Sequence, residues 1–221
     1  MPFIQRHQVI QKIHQDRLVA LFFHQDITLA KKVVRACYQG GARIIEFTHR
    51  GEFAQNIFEE LSKLCIDELP EMVLGVGSLT DAAQASTYMN LGADFVVTPV
   101  LRTDIAHICN RRKKLWIAGC GTLTEIVQCE ELGAEIVKLF PGNIYGPDFI
   151  KGVLAPQPWT SIMPTGGVTT DQENLKAWFD AGAVCVGMGS KLISKDILQN
   201  RDFETLTQRV KQVVKLIQNL K

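Results

Sequence analysis

The chain has 221 residues, of which 46% are hydrophobic and 21% are charged. This is enough apolar sequence to bury the core of one domain, and we expect a single domain over residues 1–221. The 24 basic and 23 acidic residues give a net charge of +1. Because no long block of like charge occurs, nucleic acid is not an expected partner.

The six cysteines are scattered, without a CxxC pair or nearby histidines. The sequence therefore predicts neither a disulfide framework nor a metal site. Cys120 falls in a predicted loop and is either a small buried filler or a reactive thiol. The N-terminal segment lacks the apolar core of a signal peptide, and no run reaches about 18 apolar residues. We expect a cytoplasmic protein with no membrane partner.

The first predicted element is a helix over residues 4–14, and strands then alternate with helices along the chain. A Gly-Ala pair precedes four of the strands. Its glycine can end the preceding helix in the left-handed conformation, and the β-branched run that follows is typical of a buried parallel strand. The four junctions are GGARIIEF at 40–47, LGADFVVT at 91–98, LGAEIVKLF at 132–140 and AGAVCVGMG at 181–189.

Four more apolar runs complete the set of strands: RLVALFF from Arg17, MVLGVGS from Met72, KLWIAG from Lys114 and TSIMPTGG from Thr160. An amphipathic stretch of helical length follows each strand, and the last helix is predicted over 203–221. Helix N-caps are predicted at Thr28, Thr80, Thr124 and Thr170. Eight such units predict an α/β fold, a (β/α)8 TIM barrel with an extra N-terminal helix, rather than an open sheet with a GxGxxG turn.

Active sites of such barrels lie at the C-terminal ends of the strands. On the second strand, the side-chain period of two places Glu46, Thr48 and Arg50 on one face and Ile45 and Phe47 on the other. If the apolar pair faces the surrounding helices, the three polar side chains face the barrel interior.

The same period on the sixth strand directs Lys138 inward and Val137 and Leu139 outward. A buried ammonium must be paired or lose its proton, because burial without a partner costs several kcal/mol. A neutral lysine can attack a ketone and form an imine, and Glu46 could then move the protons of that reaction. The alternative is a structural ion pair between Lys138 and Glu46.

Two glycine-bearing strand ends, PTGG at 164–167 and GMGS at 187–190, follow the seventh and eighth strands. Loops at these positions often hold a phosphate in such barrels. Arg50 has the planar fork that suits a substrate carboxylate, although a surface ion pair is the simpler interpretation. His49 faces away from Arg50 and is expected to be packed or exposed. His24 lies at the end of the first strand and is not expected to have a functional role.

These motifs, in this order along essentially the whole chain, resemble the 2-keto-3-deoxy-6-phosphogluconate (KDPG) aldolase family. That family also includes 4-hydroxy-2-oxoglutarate (KHG) and 2-keto-3-deoxy-6-phosphogalactonate (KDPGal) aldolases. The resemblance rests on EFTHR at 46–50, GVGS at 75–78, TP at 98–99, KLFP at 138–141, PTGG at 164–167 and GMGS at 187–190.

The resemblance implies a class I aldolase that cleaves KDPG to pyruvate and glyceraldehyde 3-phosphate, as in the Entner-Doudoroff pathway. It implies a homotrimer without metal or organic cofactor, in which Lys138 forms a covalent imine with the 2-keto acid substrate and Glu46 is the general acid and base. It also assigns pyruvate binding to Arg50, Ser78, Thr165 and Pro99, and phosphate binding to Gly166, Gly167 and Ser190.

Departures from the family pattern leave the substrate open. Ser78 stands where threonine is usual, Val100 where the gluconate enzymes often have glycine, and Ala118 where proline is common. Residues 142–151 are more similar to the phosphogalactonate branch, whereas Arg50 and PTGG point to the gluconate branch. A KHG or KDPGal preference is one alternative. Others are a sugar-phosphate isomerase or epimerase, and a catalytically silent barrel that binds a phosphorylated metabolite.

Overall fold

The structure, a computed structural model, describes residues 4–220. Eight parallel strands form one sheet in the order β7-β6-β5-β4-β3-β2-β1-β8. A parallel bridge between Thr165 and Gly187 and a 3.0 Å hydrogen bond from the Val184 amide to the Ile162 carbonyl connect the two edges. The strands are Leu18–Phe22 (β1), Ile44–Thr48 (β2), Val73–Gly77 (β3), Phe95–Thr98 (β4), Leu115–Cys120 (β5), Ile136–Leu139 (β6), Ile162–Pro164 (β7) and Val186–Met188 (β8).

Helices alternate with these strands around the outside, which confirms the predicted (β/α)8 barrel. Among residues 4–220, no helix is both long and apolar enough to span a membrane. The helices are Arg6–Asp16 (α1), Ile27–Gln39 (α2), Ala54–Glu68 (α3), Ala82–Asn90 (α4), Thr103–Arg111 (α5), Leu123–Glu131 (α6), Gly142–Leu154 (α7, kinked at Gly146), Gln172–Asp180 (α8), Lys195–Asn200 (α9) and Phe203–Asn219 (α10).

The four Gly-Ala junctions end their helices in the same way. Each glycine has a φ between 84° and 102°, in the left-handed region. In each, the alanine amide donates to the carbonyl five residues earlier, as in the hydrogen bond from Ala42 to Cys37 (3.0 Å). This is the Schellman arrangement, and it confirms the predicted helix ends at Gly41, Gly92, Gly133 and Gly182.

The predicted helix starts were wrong by one or two residues. Aspartates are the N-cap residues of α2 and α4. Asp26 accepts hydrogen bonds from the Thr28 and Leu29 amides, and Asp81 accepts one from the Gln84 amide. An ionised carboxylate is a stronger acceptor than a hydroxyl at a helix N-terminus. Thr28, Thr80, Thr124 and Thr170 are therefore not N-caps, and α6 and α8 begin after Thr122 and Asp171.

The predicted N-terminal helix is α1, shifted by two residues from 4–14. Its buried Val9 and Ile13 pack against the apolar side chains that fill the inside of the barrel, including Ile44, Phe95 and Ile136. The helix therefore closes the N-terminal end of the barrel. The outward side chains of the strands pack with the helices in a second, larger core.

Candidate active site

Lys138 lies inside the barrel on β6, and only 7% of the residue is exposed. Val137 and Leu139 belong to the outer core, so the predicted alternation is confirmed. The Lys138 Nζ atom lies 5.2 Å from the centre of the Phe140 ring. Within residues 4–220 it has no ion pair and no hydrogen bond, so the alternative of a structural ion pair with Glu46 is wrong.

Glu46 is 1% exposed on β2, and its Oε2 atom is buried without a hydrogen-bond partner in the described part of the chain. Ile45 and Phe47 point to the outer core, as predicted. A Cβ atom on Gly77 would lie 1.7 Å from Glu46 Oε1. The glycine therefore leaves the space that the carboxylate occupies, and one carboxylate oxygen stays free to accept a proton or a hydrogen bond.

Glycines also flank the two ionisable side chains in the sheet. Gly75 is paired with Glu46, and Gly119 with Lys138. A Cβ atom on Gly119 would lie 2.0 Å from the Pro99 carbonyl oxygen, so this backbone carbonyl reaches the neighbourhood of Lys138. The Phe95 ring fills the corresponding space at Gly75, where a Cβ atom would lie 2.3 Å from it. The two glycines therefore allow neighbouring groups to pack closely beside the lysine and the carboxylate.

A cavity of about 410 Å³ opens at the C-terminal ends of β1, β2, β7 and β8. It contains five of the predicted site residues in its wall: Arg50, Thr165, Gly166, Gly167 and Ser190. Lys138 and Glu46 are deeper than this wall and do not line it. Thr48, on the same face of β2 as Glu46, and Phe140, beside Lys138, connect the cavity to the barrel interior.

Thr165 has a side-chain hydroxyl that is buried without a hydrogen-bond partner among residues 4–220. Its Oγ1 atom would lie 2.2 Å from a Cβ atom on Gly187. Because Gly187 has no side chain, the hydroxyl fits against the neighbouring strand, and both residues line the cavity.

The glycine ends of β7 and β8 present backbone donors to the same cavity. Gly166 and Gly167 have φ values of 90° and 76°, which few other residues adopt. Across the described residues, no protein group accepts a hydrogen bond from the amides of Gly166, Gly167 or Ser190. Unpaired amides in a concave turn suit an anion.

Two predicted residues lie at this end of the barrel but outside the cavity wall. Ser78 follows β3 with a φ of 65° and is partly exposed, and Pro99 follows β4. Thr98, beside Pro99, is fully buried, and its hydroxyl accepts a 3.1 Å hydrogen bond from Trp116 Nε1. Thr98 therefore has a packing role, and the Pro99 carbonyl lies beside Gly119, the residue of β5 that pairs with Lys138.

Cys120 is the buried last residue of β5, and its Sγ atom lies 3.3 Å from that of Cys129. The contact with Cys129 and burial raise the pKa of the Cys120 thiol, so Cys120 is a filler and not a reactive thiolate. His49 faces away from the barrel, with Nδ1 2.7 Å from the Tyr88 hydroxyl. Burial lowers the pKa of His49 and raises that of Tyr88 to about 12, so both are neutral packing groups.

Sequence reasoning missed several residues of the cavity wall. Lys191 and Lys195 lie in the segment after β8, and Phe23 and Leu198 add apolar surface. The two lysines were detectable, since they directly follow GMGS in the sequence SKLISK. Phe23 ends the predicted strand RLVALFF but carries no polar group to mark it, and Leu198 lies in the short, unpredicted helix α9. Among residues 4–220, no cluster of three His, Cys, Asp or Glu side chains is placed to hold a metal.

Comparison with known families gives a match over most of the chain. The sequence model of the "KDPG and KHG aldolase" family matches residues 9–209. The chain is 26% identical over 201 residues to the 2-dehydro-3-deoxy-phosphogluconate aldolase of Pseudoalteromonas atlantica, covering 90% of this chain and 91% of that protein. It is 32% identical over 121 residues to the 2-dehydro-3-deoxy-6-phosphogalactonate aldolase of Escherichia coli, covering 54% and 58% of the two chains.

Solved structures give the same fold at lower sequence identity. A native KDPGal structure has a TM-score of 0.82 at 24% identity, with 92% of this chain and 95% of that chain covered. The KDPG aldolase from Legionella pneumophila, with pyruvate captured at low pH as a covalent carbinolamine, has a TM-score of 0.81 at 21% identity, with 90% and 94% covered.

Proposed function

The chain belongs to the KDPG and KHG aldolase family, and we propose that it cleaves KDPG to pyruvate and glyceraldehyde 3-phosphate through an imine on Lys138. One observation supports this most strongly. The buried lysine has no ion pair among residues 4–220 and lies inside the barrel below the cavity. A buried lysine that pairs with no protein group is placed to act as a nucleophile toward a carbonyl carbon.

In the proposed reaction, the neutral Lys138 amine attacks the C2 carbonyl of the substrate and forms a carbinolamine. Loss of water, with a proton supplied by Glu46, gives the iminium. Glu46, whose Oε2 is free, then takes the proton of the C4 hydroxyl. The C3–C4 bond breaks, its electron pair passes into the iminium to give an enamine, and glyceraldehyde 3-phosphate leaves. Protonation at C3 and hydrolysis of the imine release pyruvate and regenerate the lysine.

The cavity wall and the ends of β3 and β4 beside it supply binding groups for such a substrate. Arg50 would bind the pyruvate carboxylate together with the hydroxyl of Ser78, and the Pro99 carbonyl would border the imine. The Thr165 hydroxyl, which lacks a partner among the described residues, would bind the substrate between its two ends. The amides of Gly166, Gly167 and Ser190 would accept the phosphate.

The KDPGal alternative is supported by residues 142–151 and by the 32% identity to the phosphogalactonate enzyme over part of the chain. KDPG and KDPGal differ in configuration at C4, where Glu46 is proposed to act. An isomerase or epimerase is less well supported, since such an enzyme would leave Lys138 without a role.

Cleavage assays on three substrates test the proposal. KDPG, KDPGal and KHG would be supplied separately, and pyruvate release would be followed by coupled reduction. We expect the largest kcat/KM for KDPG. A larger kcat/KM for KDPGal would move the enzyme to the phosphogalactonate branch, and no pyruvate from any of the three would refute the aldolase function.

We also propose that the enzyme is a single-domain homotrimer that acts without metal or organic cofactor in the cytoplasm, within the Entner-Doudoroff pathway. Exposed apolar side chains at the cavity end of the barrel, Phe53 and Ile144 at 71% each and Val100 at 53%, support association of subunits. The six free, buried cysteines are consistent with a reducing compartment. Light scattering after size exclusion would measure the subunit number.

A further inference from the structure

The charges around the 410 Å³ cavity have one sign. Arg50, Lys191 and Lys195 are its charged wall residues, and among the described residues no aspartate or glutamate lines it. Neither Lys191 nor Lys195 forms an ion pair within residues 4–220, whereas Lys31, Lys63 and Lys176 do. An uncompensated positive wall is unfavourable in the empty protein and becomes favourable when an anion binds.

The lysines and Arg50 lie on different walls. Arg50 follows β2, and Lys191 and Lys195 follow β8, with β1 between these two strands. Leu21 and Phe23 of the β1 end give this intervening wall an apolar surface. A substrate with an anion at each end and a short carbon chain between them would match this arrangement.

The lysines also share their wall with the free amides of Gly166, Gly167 and Ser190. These amides are neutral donors and would serve a phosphate, a carboxylate or a hydroxyl with little distinction. The attraction of two ammonium groups for a bound group increases with its negative charge. They therefore favour a phosphate dianion over a terminal carboxylate and over a neutral hydroxymethyl group.

We propose that Lys191 and Lys195 are specificity-determining residues that select substrates with a terminal phosphate dianion over the same 2-keto acids without phosphate. This inference rests on the proposed aldolase function. It adds two side chains to the backbone amides predicted from the sequence and assigns the discrimination to those side chains.

The test compares wild type with the double variant Lys191→Met/Lys195→Met. Lys211→Met is the matched control, since Lys211 is an exposed lysine of α10 far from the cavity wall. kcat/KM would be measured on KDPG and on unphosphorylated 2-keto-3-deoxygluconate. Charge-assisted contacts of this kind predict a loss of roughly 10- to 100-fold on KDPG, with less than about threefold change on the unphosphorylated analogue.

Equal losses on both substrates would overturn the proposal, because they would indicate a general disturbance of the site. An unchanged kcat/KM on KDPG would also overturn it. Lys191→Arg/Lys195→Arg should restore most of the preference, since the positive charge is retained.

Two further readouts separate this proposal from the aldolase function. Binding of inorganic phosphate, measured by calorimetry, should weaken at least about tenfold in the double variant, and equal binding by both proteins would refute the lysine subsite. Borohydride trapping of pyruvate should be unchanged in the double variant. Loss of trapping in the wild type itself would refute the aldolase function instead.

Discussion

The two ends of the barrel share the same eight strands but are built in opposite ways. At the N-terminal end, Val9 and Ile13 of α1 complete an apolar interior. At the C-terminal end, Lys138 has no ion pair and Glu46 and Thr165 have buried oxygens without partners, all within the described residues. In the same part of the chain, buried oxygens without partners also occur near the closed end, at Gln157 and Thr160, but the lysine and the glutamate without partners lie toward the cavity, where a bound molecule can pair with them. The cavity end is therefore arranged for binding.

This difference between the two ends predicts which substitutions should reduce activity and which should reduce stability. A change at the cavity end should reduce activity with little loss of stability, because the groups there make few contacts within the protein. A change at the closed end should do the reverse.

Lys138→Met should abolish aldol cleavage, with a fall in kcat of more than about 10⁴-fold, because no imine can form. The thermal midpoint should stay the same or rise, since a buried amine is replaced by an apolar side chain of similar length. Steady-state kinetics and calorimetry would check both values. Lys215→Met, on an exposed face of α10, is the control and should behave as wild type.

Glu46→Gln should lower kcat by roughly 10²- to 10⁴-fold, the usual contribution of a general acid or base. The amide keeps the shape of the carboxylate beside Gly77, so the folded structure should persist. Single-turnover measurements would show slower imine formation and slower C3–C4 cleavage. Retention of full activity would remove Glu46 from the proton transfers, and Glu52→Gln, at an exposed neighbouring position, is the matched control.

Ile13→Ala should destabilise the protein by about 2–5 kcal/mol, because Ile13 is fully buried and truncation leaves a cavity. Chemical denaturation would measure the free energy of unfolding, while kcat on the folded enzyme should change little. The exposed Ile66, at 44%, gives the control variant Ile66→Ala, with a loss under about 1 kcal/mol. A drop in kcat as large as the loss for Glu46→Gln would contradict the division between the two ends.

Asp94 is a buried ionisable residue at the closed end, directly before β4. Burial raises the pKa of its carboxyl from 3.8 to about 6, although Oδ2 accepts a 3.0 Å hydrogen bond from the Leu74 amide. Because the pKa of Asp94 is higher in the folded than in the unfolded protein, the protonated carboxyl contributes its full stabilisation below pH 4. That contribution to the free energy of unfolding is lost as the pH rises to 6. Asp94→Asn should remove this loss of stability with rising pH, because the asparagine amide does not ionise.

The variant should therefore gain stability relative to wild type between pH 4 and 6, on the order of 1–2 kcal/mol. Unfolding free energies measured across this range would check the prediction. A difference between the two proteins that does not vary with pH would show that the Asp94 carboxyl has an ordinary pKa.

The fold and the inward direction of Glu46 and Lys138 were predictable because both rest on local rules. Strand alternation has a period of two, and a glycine directly after a helix can take the left-handed conformation that ends the helix, which most other residues avoid. The N-caps failed because Asp26 and Asp81 compete with the predicted Thr28 and Thr80 one or two residues away. A sequence pattern does not rank acceptors that are so close together.

The site was predictable only in part because a cavity wall is a tertiary property. Arg50 and Thr165 follow recognisable strand ends, and the structure brings them to one cavity. The position of the Glu46 carboxylate depends on the missing side chain at Gly77, on another strand. Lys191 and Lys195 stand after the GMGS motif in the sequence, but the turn that follows β8 sets the direction of their side chains, and no residue period indicates it.

Imine formation on Lys138 is tested most directly by borohydride reduction of the wild-type protein in the presence of pyruvate. The peptide that contains residue 138 is then analysed by mass spectrometry. We predict a reduced pyruvate adduct on Lys138 at close to one per chain, and none in Lys138→Met. Full cleavage activity with an unmodified Lys138, or an adduct on another lysine, would show that Lys138 does not form the catalytic imine.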